Sequence, residues 1–66
     1  MTKFGRRLQS LRKEKKLTQR ELALKADLSI SQIARMELGT LNTTISSIVK
    51  ISKAFEIDLR DFFEGF

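Results

Sequence analysis

The amino-acid sequence predicts an all-α fold, built from five short helices in one domain. Apolar residues recur three or four positions apart along nearly the whole chain, which is the spacing of one helix face. No stretch alternates apolar and polar residues for long enough to form a strand, and proline is absent. A length of 66 residues suits a single small domain, so we expect residues 1–66 to fold as one unit.

A first helix is predicted over residues 3–15, where one apolar stripe runs along an otherwise basic segment. Phe4, Leu8 and Leu11 lie at positions i, i+4 and i+7 and therefore share one helix face. Leu17 follows in the turn and can extend the stripe. We expect this stripe to face the core and the basic residues to face solvent.

The second and third helices are predicted to be joined by a tight turn. Thr18–Glu21 has the form of a capping box that starts the second helix, and Asp27 suits the left-handed residue that ends it. Ser29 is a good N-cap for the third helix, which Gly39 stops. The connection is only about three residues long, which is typical of a helix-turn-helix. The predicted inward positions are Leu22, Ala23, Ala26, Ile33, Met36 and Leu38.

Two further helices complete the predicted fold. Thr44 can cap a fourth helix over residues 45–55, and Asp58 can cap a short fifth helix. The predicted inner side of the fourth helix carries Ile45, Ile48, Val49, Ser52 and Phe55. The apolar face of the fifth carries Leu59, Phe62 and Phe63.

Composition argues against an enzyme and against a bound metal or other cofactor. Cysteine, histidine, tyrosine and tryptophan are all absent, which removes disulfides, the usual zinc and copper ligands and most catalytic groups. No apolar run approaches the roughly 18–20 residues of a membrane span, and the N-terminus lacks the apolar segment of a signal peptide. We therefore expect a cytoplasmic protein, and 66 residues leave no room for a second, ligand-sensing domain.

Positive charge is concentrated at the N-terminal end. The net charge is +5, yet residues 1–20 carry eight basic residues and one acid, whereas residues 21–66 carry five basic residues and seven acids. Such asymmetry indicates a polyanionic partner, most often nucleic acid. The alternative is a solvated basic face that only keeps the protein soluble.

Several segments in order resemble one known family. These segments are FGRRLQSLRKEKKLTQRELA, SISQIARMELG, ISSIVKISKAFEI and LRDFF, and together they cover about residues 4–63. They are similar to the lambda-repressor-like, Cro-type (XRE-type) helix-turn-helix family of bacterial and phage regulators. The resemblance implies a compact five-helix DNA-binding domain, in which helices 2 and 3 form the helix-turn-helix.

The resemblance also implies that helix 29–38 is the recognition helix and lies in the major groove of double-stranded DNA. Its exposed positions would then be Ile30, Ser31, Gln32 and Arg35. Arg35 can pair with guanine, Gln32 with adenine and Ser31 with either kind of base edge, while Ile30 can contact a thymine methyl group. The alternative is that all four are ordinary surface residues.

Phosphate contacts are expected at both ends of the helix-turn-helix. In the family, the position of Gln19 meets a phosphate and braces the recognition helix, and it lies at the positive end of a helix dipole. Thr18 is mainly a cap, with a phosphate contact as a secondary role. Thr40 and Asn42 fall in the loop GTLNTT, which has no charge, although many relatives carry Lys or Arg there.

Two charged residues are assigned a structural role by the resemblance. Arg12 and Glu37 match the Arg and Glu that form a buried or half-buried ion pair between the first and third helices of similar proteins. The other basic residues of the first helix are Arg6, Arg7, Lys13, Lys15 and Lys16. We interpret them as a positive field that raises the local affinity for DNA, or as a solvated face.

The C-terminal end holds more large apolar residues than a small core can bury. We expect Leu59 and Phe63 to join the core, and Phe62 and Phe66 to form a dimer interface. A two-fold dimer would place two recognition helices about 34 Å apart, so the expected site is a short palindrome.

The leading hypothesis is therefore a sequence-specific transcriptional regulator, a homodimeric repressor that acts on the bacterial nucleoid. The alternative is a protein-binding adaptor or antitoxin on the same scaffold, which the aromatic tail and the uncharged loop favour slightly. A further alternative is that the chain is part of a longer regulator.

Overall fold

The computed structural model describes residues 2–40 and 43–64, and these form five helices without any strand. The helices are α1 (Lys3–Glu14), α2 (Gln19–Ala26), α3 (Ile30–Leu38), α4 (Ile45–Phe55) and α5 (Leu59–Phe62). The predicted all-α fold with five helices is confirmed. None of these helices is both long and apolar enough to cross a membrane.

Local capping determines where the helices begin and end. The hydroxyl oxygens of four N-cap residues accept a backbone N–H three positions on, and these residues are Thr2, Thr18, Ser29 and Thr44. The carboxylate of Glu21 accepts from the backbone N–H of Thr18 at 2.8 Å, so the predicted capping box is present. Asp27 and Gly39 adopt the predicted left-handed conformation, with φ values of 56° and 81°. Asp58 precedes α5 as predicted, but its side chain makes no capping bond.

A single apolar core collects side chains from all five helices. The most deeply buried large side chains are Leu8, Leu22, Ile33, Met36, Ile51, Phe55 and Phe62. Burial of each such side chain stabilises the fold by about 1.5–3 kcal/mol. The inward positions predicted for α2 and α3 are buried, except that Leu38 is exposed. Ile45 is also wrong as an inner residue, because this first residue of α4 is 79% exposed.

The sequence prediction of which C-terminal apolar residues join the core and which stay exposed for a dimer interface is wrong. Phe62 is fully buried, whereas Leu59 and Phe63 are 42% and 37% exposed. The reason is that Phe62 packs inward against Phe4 of α1, with ring centroids 5.5 Å apart. Phe62 is therefore unavailable to a partner, and Phe66, the other predicted interface residue, lies outside the described residues.

The helices α1 and α3 approach each other closely at a glycine. A Cβ atom added to Gly5 would lie 2.0 Å from the carbonyl oxygen of Glu37 and 3.0 Å from that of Met36. Only the absence of a side chain allows the N-terminal half of α1 to lie on the last turn of α3. This contact holds the last turn of α3 against α1 and does not cover the opposite side of α3.

Candidate nucleic-acid interface

A short turn joins α2 to α3 and sets the direction in which α3 runs. The left-handed conformation of Asp27 reverses the chain, and the backbone N–H of Leu28 donates to the carbonyl oxygen of Ala23 at 2.9 Å. Leu28 packs against the core, and Ser29 then caps α3. The predicted helix-turn-helix of α2 and α3 is therefore present.

Opposite faces of α3 meet the core and the solvent. Ile33, Met36 and Glu37 are buried. On the other side, Ser31 and Arg35 are exposed one turn apart, so their side chains are neighbours on one surface. Ile30 is exposed at the first residue of the helix. The geometry thus places two of the four predicted base-contact residues on the outer side of α3 and a third, Ile30, exposed at its N-terminal end.

Leu38 extends this outward face, although the sequence interpretation placed it inside. It follows Ser31 by seven residues and Arg35 by three, and it is 60% exposed. This spacing is the signal that could have identified it. The face therefore ends in an apolar residue at its C-terminal end.

Gln32 differs from the other three predicted base-contact residues because its side chain is already engaged. Its side-chain Oε1 accepts from the backbone N–H of Ser29 at 2.8 Å. The backbone N–H of Gln32 donates to the Ser29 hydroxyl at 3.0 Å. Pairing with adenine requires the same amide oxygen together with the amide nitrogen. Such a contact would therefore compete with the cap of α3.

A partly buried polar network connects α1, α2 and α3. Arg12 donates from Nε to Glu37 Oε2 at 2.6 Å and from Nη2 to Glu37 Oε1 at 3.3 Å. Its Nη1 donates to the carbonyl oxygen of Leu17 at 2.9 Å. Gln19 Nε2 also donates to Glu37 Oε1, at 3.2 Å. The ion pair expected from the family resemblance is thus present, and Glu37 is only 2% exposed.

The predicted phosphate-contact residues lie near the start of α2 and the end of α3. Thr18 is exposed and Gln19 is half-buried, and the latter reaches the last turn of α3 through Glu37. Thr40 is exposed just beyond α3, with its hydroxyl 3.5 Å from the carbonyl oxygen of Arg35. Asn42 lies outside the described residues.

The capping box also changes the electrostatics at the start of α2. The backbone N–H and then the hydroxyl of Thr18 hydrogen-bond to Glu21 and hold the pKa of its carboxyl group below the usual value of 4.5. Glu21 is therefore ionised at neutral pH and is already paired. The first backbone N–H groups of α2, those of Gln19 and Arg20, have no carbonyl partner within the helix.

The basic residues near the N-terminus do not all serve as a free positive field. Arg12 is in the ion pair, and Arg7 donates to the carbonyl oxygens of Phe62 at 2.9 Å and Asp61 at 2.8 Å. Arg7 therefore holds the C-terminal end of α5, a role that the sequence interpretation missed because the partners lie more than fifty residues away. The basic residues that remain exposed are Lys3, Arg6, Lys13, Lys15, Lys16 and Arg20.

Comparison with known proteins gives consistent results. The helix-turn-helix family matches residues 8–62. The chain is 40% identical over 55 residues to the immunity repressor protein of Bacillus phage phi105, covering 83% of this chain but 38% of that repressor. It is 34% identical over 62 residues to the control protein C.BamHI of Bacillus amyloliquefaciens, covering 92% of this chain and 76% of the other.

A solved structure is similar over almost its whole length. The restriction-modification controller protein C.AhdI from Aeromonas hydrophila superimposes with a TM-score of 0.88 and 37% sequence identity, covering 91% of each chain. The match over residues 8–62 includes all of α2 and α3 and most of the core. The chain therefore belongs to the helix-turn-helix family, a family of DNA-binding regulators.

Proposed function

We propose that this chain is a sequence-specific, double-stranded DNA-binding transcriptional regulator that places α3 in the major groove. The observation that carries the proposal is the division of α3 into a buried side and an outward side, with Ser31 and Arg35 one turn apart on the latter. A helix that reads base edges needs one face locked to the core and the other free.

Arg35 is the strongest candidate for base recognition. Its side chain is exposed, and within residues 2–40 and 43–64 its guanidinium group makes no hydrogen bond. A guanidinium group pairs with guanine through two parallel hydrogen bonds and discriminates against other bases by about 1–3 kcal/mol. Ser31 supplies a short hydroxyl one turn from Arg35, and Ile30 supplies an apolar contact at the first residue of α3. Gln32 contributes to a smaller extent because it caps α3.

The backbone of the duplex would be held from both ends of the helix-turn-helix. Gln19 and Thr18 present donors at the start of α2, and Thr40 and Asn42 present donors after α3. None of these four side chains is charged. The salt-dependent part of the affinity would therefore come from the exposed basic residues of the N-terminal third, which can neutralise phosphates.

We further propose that the regulator is a homodimer, with Leu59 and Phe63 at its interface in place of the buried Phe62. Both side chains are exposed on or beside α5. A two-fold dimer binds two half-sites about 34 Å apart, so the operator would be a short palindrome. The relatives named an immunity repressor protein and a control protein support a role in the repression or control of transcription.

The test is selection of bound duplexes from a random pool at about 150 mM salt, where specific binding stands roughly a thousandfold or more above background. An enriched palindrome with half-sites one helical turn apart is the expected result. A single enriched half-site would contradict the dimer but retain base recognition. A folded protein that enriches no sequence would refute the proposed regulator.

The alternative function is a protein-binding adaptor that uses the exposed apolar residues of α5. Salt separates the two functions, because about six phosphate contacts imply a loss of about a thousandfold in affinity between roughly 50 and 200 mM salt. Binding of a protein through Leu59 and Phe63 would change little over that range. Leu59→Ser should then abolish adaptor binding and leave half-site recognition intact.

A further inference from the structure

The side-chain amide of Gln19 is held in one orientation by a buried carboxylate. Its Nε2 donates to Glu37 Oε1 at 3.2 Å, and the Gln19 side chain is half-buried at the first residue of α2. Glu37 in turn is held by two hydrogen bonds from Arg12. Every buried side-chain nitrogen and oxygen atom among the described residues has a hydrogen-bond partner, so this network is complete.

An ionised carboxylate can only accept hydrogen bonds, and this property decides which way the amide faces. If the Gln19 amide turned over, its oxygen would face Glu37 and two acceptors would oppose each other. The nitrogen must therefore face Glu37. An amide nitrogen carries two hydrogens, so one binds Glu37 and the other remains for an external acceptor.

A phosphate also only accepts hydrogen bonds, so it requires the orientation that Glu37 imposes. We propose that Glu37 is a positioning residue for DNA binding, which orients the Gln19 amide so that its second Nε2 hydrogen donates to a backbone phosphate. The proposal rests on the proposed function and adds to it a role for a residue that does not contact DNA. Pre-orientation improves affinity because no rotamer has to be fixed on binding.

The ion pair gives this arrangement its electrostatic balance. A lone carboxylate close to a phosphate would repel it, but Arg12 neutralises Glu37 from the side of α1. Arg12 donates three hydrogen bonds, one to each carboxylate oxygen of Glu37 and one to the carbonyl oxygen of Leu17. The Arg12–Glu37 ion pair therefore holds the Gln19 amide in place, and its two opposite charges largely cancel near the proposed phosphate.

The test is a double-mutant cycle on DNA binding. Gln19→Ala should weaken binding by about tenfold, the size expected for one hydrogen bond to a charged group. The loss should be equal on the selected operator and on an unrelated duplex, because phosphate contacts carry no sequence information. The salt dependence should not change, because a neutral amide displaces no counterion.

The second arm replaces the ion pair with apolar residues of similar size, Arg12→Met together with Glu37→Met. Such replacements of buried pairs often preserve stability. In this background Gln19→Ala should cost less than about twofold, because the amide is no longer held as a donor. Arg35→Ala is the matched control and should cost the same in both backgrounds, since among the described residues the Arg35 guanidinium group makes no hydrogen bond to the network.

An equal loss for Gln19→Ala in both backgrounds would overturn the proposal, as would the absence of any loss in the native background. If the wild-type chain binds no duplex, the proposed function fails instead. A measurement on the native chain decides the matter if the double variant does not fold. In the NMR spectrum, DNA should shift the Nε2 hydrogen of Gln19 that is not bonded to Glu37 and leave the hydrogen that faces Glu37 in place. No shift of either hydrogen on DNA binding would overturn the proposal.

Discussion

Replacement of Gly5 by alanine tests the close packing of α1 on α3. A Cβ atom at this position would lie 2.0 Å from the carbonyl oxygen of Glu37 and 2.8 Å from its carbonyl carbon. Real Cβ atoms essentially never come closer than 3.0 Å, so the two helices must separate locally by about 1 Å. The obstacle is backbone in the last turn of a helix and cannot rotate away.

Two opposing free energies decide the outcome. Alanine is favoured over glycine within a helix by about 1 kcal/mol. Forcing an extra carbon into a packed interface costs about 1–3 kcal/mol, and more where the neighbour is backbone. The separation would also lengthen the Arg12–Glu37 ion pair, whose closest atoms are 2.6 Å apart. Because the obstacle is backbone, the packing cost falls at the upper end of that range, and after the helix preference is subtracted we expect Gly5→Ala to lower the free energy of unfolding by about 2 kcal/mol.

The assay is urea unfolding followed by circular dichroism at 222 nm, with the midpoint and the slope fitted together. A domain of this length has a total stability of about 3–10 kcal/mol, so the expected loss is readily visible. Ser10→Ala is the matched control, because Ser10 is exposed on the same helix and gains only the helix preference of alanine. If Gly5→Ala is as stable as the native chain, the close-packing argument is wrong.

Three further substitutions test other parts of the structure. Arg7→Ala removes two hydrogen bonds to the end of α5 and should cost about 1–3 kcal/mol in urea unfolding, whereas the exposed neighbour Arg6→Ala should change little. The pKa of Glu21 is lowered in the folded chain, so its charge stabilises the fold above pH 4.5, and this contribution is lost as the pH falls through the lowered pKa. Glu21→Gln should therefore be less stable than the native chain near neutral pH, and the difference should shrink on acidification; a constant difference would contradict the assignment. Arg35→Ala should relax base preference at one operator position by about 1–3 kcal/mol in competition binding without changing stability; uniform weakening on all sequences would contradict base recognition.

Much of the fold could be predicted from the sequence because its determinants are local. The capping box at Thr18 and the left-handed positions at Asp27 and Gly39 depend on residues within one turn. The helical spacing of apolar residues then identifies the buried side of α2 and α3. The outward positions of Ser31 and Arg35 follow from the same periodicity once Ile33 and Met36 face inward, whereas Ile30 is exposed because it is the first residue of the helix.

The features that sequence reasoning missed depend on how distant segments dock. A four-residue helix can turn any of its apolar residues to the core, and the partner decides which one. Phe62 faces inward because Phe4 is there to receive it and Arg7 binds the end of α5. A glycine inside a helix is a local signal, yet Gly5 only becomes interpretable when Glu37 of α3 lies against it.

The helix α1 connects the surface proposed to read DNA with the surface proposed to form the dimer. Its Gly5 lies against the end of α3, and its Arg12 holds Glu37 and, through it, Gln19. Its Arg7 holds the end of α5, beside the exposed Phe63. Substitutions that shift the packing of α1, such as Gly5→Ala, should therefore weaken DNA binding and dimerisation together, because both surfaces depend on how α1 is packed. A change such as Arg35→Ala, on the outer face of α3, should affect DNA binding alone.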